Sequence, residues 1–356
     1  MRVAAASLAP RALEGARRGL VLSLTDDEGR VGLGEATPLP GFSPDTADDD
    51  ERALAELPGA LGAIGLPGGD AATSTAAPAI LRALEPLSSR LRGVPAARFA
   101  LETALLDLVG QRLGLPASAC LGGHRRAEVQ VNGLLATSAA LPEMLGSARA
   151  LVARGVRAIK VKLRSRGDEG FARDLEALRA LRREHPSIEL RLDANAAWSL
   201  EDAPRRLALL APLEPRFVEQ PVAPELLHRL GAQAVPWAAD ESLAAPGMPE
   251  RLLEAEGCAA FILKPAMLGL LRAHDLGRRA QERGLGAVVT HLFDGPVALA
   301  AACELALALP RPPLACGLDA HAGLAAWPAI RIPQLREGGR VAASDRPGLG
   351  VGPWTA

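Results

Sequence analysis

The chain has 356 residues, 49% of them apolar, enough for one large or two modest globular domains and too many for a disordered or collagenous polymer. Lys plus Arg number 40 against 41 Asp plus Glu, so there is no basic field to hold a phosphate backbone, and nucleic acid is not expected as a partner. Tyr is absent and aromatics make up 3%, which leaves carboxylates, Lys, Arg and His to carry any chemistry.

Residues 1–20 carry Arg2, Arg11, Arg17 and Arg18, with only an Ala-rich run broken by Pro10, too little for the apolar part of a signal peptide. Leu20–Thr25 is strand-like, Asp27-Glu28-Gly29 is a turn and Val31–Glu35 is a second strand, predicting an antiparallel hairpin. The stretch Leu57–Pro78, rich in Gly, Pro, Ser and Thr, reads as a loop. From Ala96 to Leu113 the apolar positions Phe99, Leu101, Ala104, Leu105, Leu108 and Val109 recur at helical spacing and predict an amphipathic helix.

Beyond residue 128 the texture changes. Short apolar runs at 129–135, 158–163, 189–195, 217–222, 237–242, 260–265 and 286–292 alternate with Ala- and Leu-rich helical stretches such as 174–184 and 201–210. Strand and helix alternating at this pitch imply parallel strands, and seven or eight units are the number of a (β/α) barrel. A doubly wound sheet is the alternative, but no G-x-G-x-x-G follows the first strand. The expected architecture is an α/β chain. A (β/α)7β-type TIM barrel over 126–324 carries an α+β capping domain from 1–125, to which the Pro-, Gly- and charge-rich tail 325–356 returns. The longest apolar run, Val297–Leu309, is interrupted by Glu304 and is too short to span a membrane. Cys120, Cys258, Cys303 and Cys316 form no C-x-x-C pair. A reducing cytoplasm is the expected location.

The polar residues at the ends of the predicted strands come at a steady pitch. From Lys162 to Asp193, Glu219, Asp240 and Lys264 the steps are 31, 26, 21 and 24 residues, each about one βα unit. In a barrel, strand ends so spaced converge on one mouth. Asp193, Glu219 and Asp240 together require a cation or shared protons, and an all-oxygen set suits Mg2+ before Mn2+. Lys160 and Lys162 alternate with Ile159, Val161 and Leu163, so both amines share a face. About 7 Å apart by strand rise, they repel by about 2 kcal/mol at an effective dielectric of about 20, which moves a Lys from about 10.4 toward 9. Lys264, in Phe261-Ile262-Leu263-Lys264-Pro265, falls on the sixth unit, across the barrel from the second. Together these groups describe removal of a proton next to a carboxylate, with a dication holding the enediolate. No G-x-x-x-x-G-K-[ST], H-E-x-x-H or G-x-S-x-G occurs, so phosphate-loop, zincin and serine-hydrolase chemistries are not indicated.

The strings Ile159-Lys160-Val161-Lys162, Arg191-Leu192-Asp193-Ala194-Asn195, Val218-Glu219-Gln220-Pro221, Asp240-Glu241-Ser242 and Leu263-Lys264-Pro265 resemble, in order and spacing, those of the muconate lactonizing subgroup of the enolase superfamily. The stretch Gly34–Ser43 further resembles the G-E-x-[ST]-P-L-P-G-F-S of o-succinylbenzoate synthases, where this loop closes over the substrate. That resemblance implies a carbon-oxygen lyase of menaquinone synthesis that dehydrates 2-succinyl-6-hydroxy-2,4-cyclohexadiene-1-carboxylate, a small carboxylate. It also implies roles: Lys162 takes the α-proton and returns it to the leaving hydroxyl, and Lys264 stabilises the enediolate. Asp193, Glu219 and Asp240 bind Mg2+, with Lys160, Asn195 and Arg191 supporting. Phe42 would be an apolar lid contact, and the loop around Gly15–Gly19 would be the other lid, with Arg17 or Arg18 near a substrate carboxylate. An N-acylamino acid racemase or dipeptide epimerase using Lys162 and Lys264 as opposed bases is the rival within the superfamily. A non-catalytic barrel used for binding is the rival from another class. Oligomeric state, the residues around the substrate tail and the role of His291 stay open at this stage.

Overall fold

The structure, a computed structural model, describes residues 1–13, 17–55, 57, 61, 72–122, 125–163, 167–327 and 330–351. It opens with an antiparallel sheet of β1 (Val3–Ala12), β2 (Arg18–Asp26) and β3 (Val31–Ala36), in that spatial order. The hairpin read from the sequence is β2 and β3. The strand before it, β1, was not legible as one, because its residues are mostly Ala, half-exposed or exposed, with Pro10 tolerated on a sheet edge.

Helices α1 (Ala47–Leu54) and α3 (Pro95–Leu113) cover this sheet, and α2 (Ala72–Leu84) and α4 (Ala117–Gly122) pack against α3 and each other. The loop expected over 57–78 lies mostly outside the described residues, but its end differs from expectation, since α2 already begins at Ala72. Its buried stripe, Ala76, Ala79, Ile80 and Ala83, has helical spacing carried by small side chains, which hid it among the Gly, Ser and Thr. The long helix α3 starts at Pro95 and ends at Gly114 in the left-handed conformation. It lies so close to β3 that a Cβ on Gly34 would stand 1.9 Å from the Ala100 carbonyl oxygen.

After β4 (Glu128–Gln130) comes the barrel: β5 (Gly133–Ala136), α5 (Leu141–Ala153), β6 (Ala158–Lys162), α6 (Gly167–Glu184), β7 (Glu189–Asp193), α7 (Ala203–Leu210), β8 (Val218–Glu219) and β9 (Trp237–Ala239). It continues with α8 (Met248–Leu253), β10 (Cys258–Leu263), α9 (Pro265–Leu268), α10 (Leu270–Glu282), β11 (Gly286–Val289) and α11 (Pro296–Ala308). The strands β5 to β11 form one curled parallel sheet in sequential order. Residues 314–317 occupy the eighth position, with Gly317 bridging to Thr290 on one side and Cys316 to Val131 on the other. This is the (β/α)-type barrel the alternating pattern predicts, with α5 packed on β5, α10 on β10 and α11 on β11. The last strands, β12 (Leu335–Arg336) and β13 (Arg340–Ala342), join β4 in a small antiparallel sheet, and the Leu349 amide returns to Asp107 of α3.

All four cysteines are buried and unpaired. Among the described residues no helix is long and apolar enough to cross a membrane.

Candidate active site at the barrel mouth

Register places the polar strand ends side by side. Ala136 pairs with Lys162, Lys162 with Asp193, Asp193 with Glu219 and Glu219 with Ala238, one line across five strands. Asp240 lies two residues beyond Ala238 and so keeps to the same face. Ile159 and Val161 are fully buried toward the helices, whereas Lys160 and Lys162 point inward and line the central cavity. The strand alternation thus sorts the K-x-K string into two apolar anchors and two interior amines.

Asp193, Glu219 and Asp240 are 1, 2 and 4% exposed. Lys160 Nζ stands 2.8 Å from Asp193 Oδ2 and 2.6 Å from Glu219 Oε1, and Lys264 Nζ is hydrogen-bonded to Asp240 Oδ2. Burial and the charge of Asp193 push Glu219 up to about 8, against the pull of Lys160. Burial also raises Asp240, opposed by Lys264. Burial would raise Asp193 too, but Lys160 and then Lys264 outweigh it and hold that carboxyl below its usual range. Three carboxylates in so dry a place demand more positive charge than water can supply.

As the side chains stand, no three of the described His, Cys, Asp and Glu residues converge on a common point that could hold a metal ion. The reason is local, because the ammonium of Lys160 lies between Asp193 and Glu219 and that of Lys264 against Asp240. The donor set nevertheless fits a hard dication. It is all oxygen, buried, in register on neighbouring strands, and too acidic in total for all three groups to ionise freely.

The two lysines on β6 differ. The mutual repulsion expected of Lys160 and Lys162 lowers only one of them. Burial pushes Lys162 below the ordinary lysine range, and Lys160 and Lys264 add to this against the pull of Asp193. Burial opposes the charge on Lys160 as well, yet Asp193 and Glu219 overcome it and raise Lys160 well above its usual value. Lys264 is raised in the same way by Asp240, against burial. Its Nζ also sits 4.5 Å from the centre of the Phe42 ring.

The supporting residues occupy distinct places. Asn195, at φ +46°, donates its backbone N–H to Asp193 Oδ1 at 2.9 Å and its side-chain amide to Asp193 Oδ2 at 3.3 Å. Arg191 lies deeper, bonded to Glu189 and to the Ala315 carbonyl and covering Phe217, so it braces the barrel floor rather than touching the three carboxylates. Arg18 pairs with Asp48 on the surface. Arg17 spends its guanidinium on the carbonyls of Thr37, Pro38, Leu292 and Phe293 and on Asp294. Arg17 thereby stitches the capping segment to the loop after β11. Residues 14–16 of the neighbouring loop lie outside the described residues. His291 lines the cavity, but both its ring nitrogens are engaged, with the Phe293 amide and the Asp319 carbonyl, and its ring stacks on His321 at 4.6 Å. Burial and His321 hold it neutral, with a pKa of about 4.

Three further residues do not stand out in the sequence. Gln220, fully buried at φ +40°, accepts from the amides of Asp240 and Ser242 and donates to Val222 O, tying the end of β8 to that of β9. Its place inside the E-Q-P string was the available signal. Asp319 forms an ion pair with Arg154 at 2.8 Å beside the seam of the barrel, and both line the cavity. No motif flags them. The cavity itself encloses about 320 Å3 and is walled by Leu39 and Phe42 from the capping side and by Leu134, Phe293 and Ile262 from the barrel. A small carboxylic acid fits such a volume.

Comparisons with known proteins agree with this geometry. The family profile described as enolase C-terminal domain-like matches residues 143–354. An o-succinylbenzoate synthase from Thermobifida fusca is 39% identical over 175 residues, 48% of this chain and 54% of that protein, so the match spans only about half the relative's length. An L-Lys-D/L-Arg epimerase from Methylococcus capsulatus is 31% identical over 349 residues, 93% of this chain and 90% of that one. The crystal structure of a dipeptide epimerase from Methylococcus capsulatus complexed with Mg ion superposes with a TM-score of 0.83 at 29% identity, covering 99% of both chains. No single activity dominates these relatives, but the fold, the matched profile and the near full-length likeness agree that this chain belongs to the enolase superfamily, within its muconate-lactonizing and epimerase subgroup.

Proposed function

We propose that the chain is a divalent-metal-dependent racemase or epimerase acting at the α-carbon of a small carboxylate, of the N-acylamino acid or dipeptide type. The observation that carries the reading is the pairing of Lys162 with Lys264. They come from the second and sixth of eight barrel positions, diametrically opposed, and open onto the same cavity with opposite proton affinities. Transfer from one face of a carbon to the other needs one empty amine and one loaded one. Lys162, pushed toward the neutral form, takes the α-proton, and Lys264, held as an ammonium by Asp240, delivers one to the opposite face. The reverse direction exchanges the two roles. Asp193, Glu219 and Asp240 would hold Mg2+, with Mn2+ as substitute, and the bound ion would supply positive charge to the developing enediolate. Asn195 keeps Asp193 oriented, Lys160 offsets the crowded carboxylates, and Leu39 with Phe42 keeps water from the carbanion. The likeness to an epimerase along nearly the whole chain supports this choice.

Dehydration to o-succinylbenzoate is the second reading, favoured by the Gly34–Ser43 stretch, which brings Phe42 over Lys264, and by the Thermobifida relative. There Lys162 would remove the α-proton and return it to the departing hydroxyl as water, while Lys264 stays a fixed cation.

The deciding experiment incubates the protein with Mg2+ in deuterated water, with N-succinyl amino acids and dipeptides in one set and with the cyclohexadiene carboxylate in another. Exchange of the α-proton with inversion, followed by proton NMR and polarimetry, supports the first reading. Aromatisation without exchange of any amino-acid substrate would reverse the order, and neither would leave a binding protein.

A further inference from the structure

Leu39 and Phe42 wall the cavity from a loop with its own turn bonds: the amides of Phe42 and Ser43 donate to Leu39 O, and the Leu39 amide donates to Ser43 Oγ. The loop is tied at both ends. At its start Thr37 Oγ1 donates to Asp294 Oδ1 at 3.0 Å, across to the barrel. At its far end Asp45 Oδ2 accepts from the Ala96 amide at 2.8 Å, and Asp50 Oδ1 of α1 accepts from the next amide, Ala97, at 3.0 Å. Both carboxyls thus sit on the first turn of α3. Asp45 is 5% exposed and Asp50 fully buried.

Their remaining oxygens, Asp45 Oδ1 and Asp50 Oδ2, are buried without a hydrogen-bond partner, and because the two carboxyls accept from consecutive amides of one turn they stand beside each other. Two ionised carboxylates side by side and out of water repel each other, and being acceptors only they can satisfy these oxygens only through a proton held between them. The charges on the packed elements do not replace that proton. Asp49 of α1 is bound to Thr46 and Arg52, Arg98 of α3 to Glu102, and Arg18 of β2 to Asp48 and Glu51.

We infer that Asp45 and Asp50 are positioning residues that moor the Leu39–Phe42 lid over the cavity through one shared proton, and that loss of this proton frees the lid. Burial, and then the charge of Asp45, raises Asp50 to about 8, and burial raises Asp45 as well. The sign follows: the pair is singly protonated and the mooring whole at neutral pH, and it is lost as pH rises through about 8, when two anions face each other.

The mooring is read directly by hydrogen exchange of residues 39–50 in the full chain at pH 6.5 and 9, corrected for the intrinsic rate. In the wild type, protection of this segment falls about tenfold between the two, while protection of the barrel strands does not change. Asp50→Asn replaces the shared proton with an amide that donates to Asp45 at every pH, so its protection stays level. Asp45→Asn is the mirror variant, should the first fold poorly. Equal wild-type protection at both pH values, or a drop that persists in the folded Asn variant, overturns the proposal. Only the kinetic consequence rests on the catalytic reading above: KM rises above pH 8 in the wild type, with kcat changing less, and not in the Asn variants. A pH step in exchange without one in KM would fault that reading and leave the mooring intact.

Discussion

Lys162 and Lys264 face one cavity from opposite sides of the barrel with opposite proton affinities, the first pushed down by burial and by its neighbouring amines, the second held up by Asp240. The asymmetry arises from placement alone, since the side chains are identical. A carboxylate touches Lys264 directly, whereas the hydrogen bonds of Asp193 are taken by Lys160 and Asn195, leaving Lys162 without that compensation.

Lys162→Ala removes the proposed proton acceptor without disturbing a core layer. Turnover is expected to fall by about 10² to 10⁴ in the direction that starts at Lys162, with an unchanged far-ultraviolet circular dichroism spectrum. Near-normal activity would remove Lys162 from the mechanism.

The pH profile follows from the same residue. Because the Lys162 pKa lies below that of an ordinary lysine, the neutral base accumulates at lower pH, and kcat/KM is expected to rise with pH along a limb centred below the usual lysine value of 10.5. By linkage, Lys162 favours the folded state increasingly as pH rises through that depressed value toward the ordinary one, since there the unfolded chain binds more protons. A limb centred at or above the ordinary value would contradict the placement.

Asp240→Asn takes one hard donor from the carboxylate set and releases Lys264. Mg2+ affinity measured by calorimetry is expected to drop by roughly tenfold or more, with a smaller change in the thermal midpoint. An unchanged affinity would exclude Asp240 as a ligand.

Glu35, fully buried, accepts from the amides of Gly295, Val297 and Ala298 at the start of α11 and so joins the capping sheet to the barrel. Burial and the charge of Asp294 raise its pKa to about 7. A raised carboxyl contributes stability that is whole below its unfolded value of 4.5 and is lost as pH rises through the folded one, here on the order of 3 kcal/mol. Urea unfolding at pH 5 and pH 8 checks this, and Glu35→Gln is expected to flatten the difference while lowering stability at both.

Gly34→Ala forces a methyl against the Ala100 carbonyl, which belongs to a helix backbone and cannot rotate away. A loss of about 3 kcal/mol or more is expected, and a change under about 1 kcal/mol would mean that β3 and α3 separate freely.

The barrel was legible because each strand from β6 to β11 carries its own short apolar run between helical stretches. The helix α2 was not, since Ala76, Ala79 and Ala83 give the right period with too little hydrophobic contrast. The same limit hid β1. The candidate residues stand out through strand-end spacing, and register sets Lys162, Asp193 and Glu219 in one line with Asp240 and Lys264 beyond it. The engagement of Arg17 with four carbonyls was not legible, because a sequence shows that a guanidinium is nearby and not which carbonyls it will satisfy.

By itself, then, the order of residues determined the class of fold and the inventory of charged groups at the barrel mouth, because period-two and helical patterning are local and the pitch of a βα unit is nearly constant. Only the tertiary structure decided which lysine stays charged, which arginine is consumed by backbone, and that Asp45 and Asp50 meet on one turn of α3. Proton affinity depends on burial and on neighbours brought together from distant parts of the chain, and neither is written in any single segment.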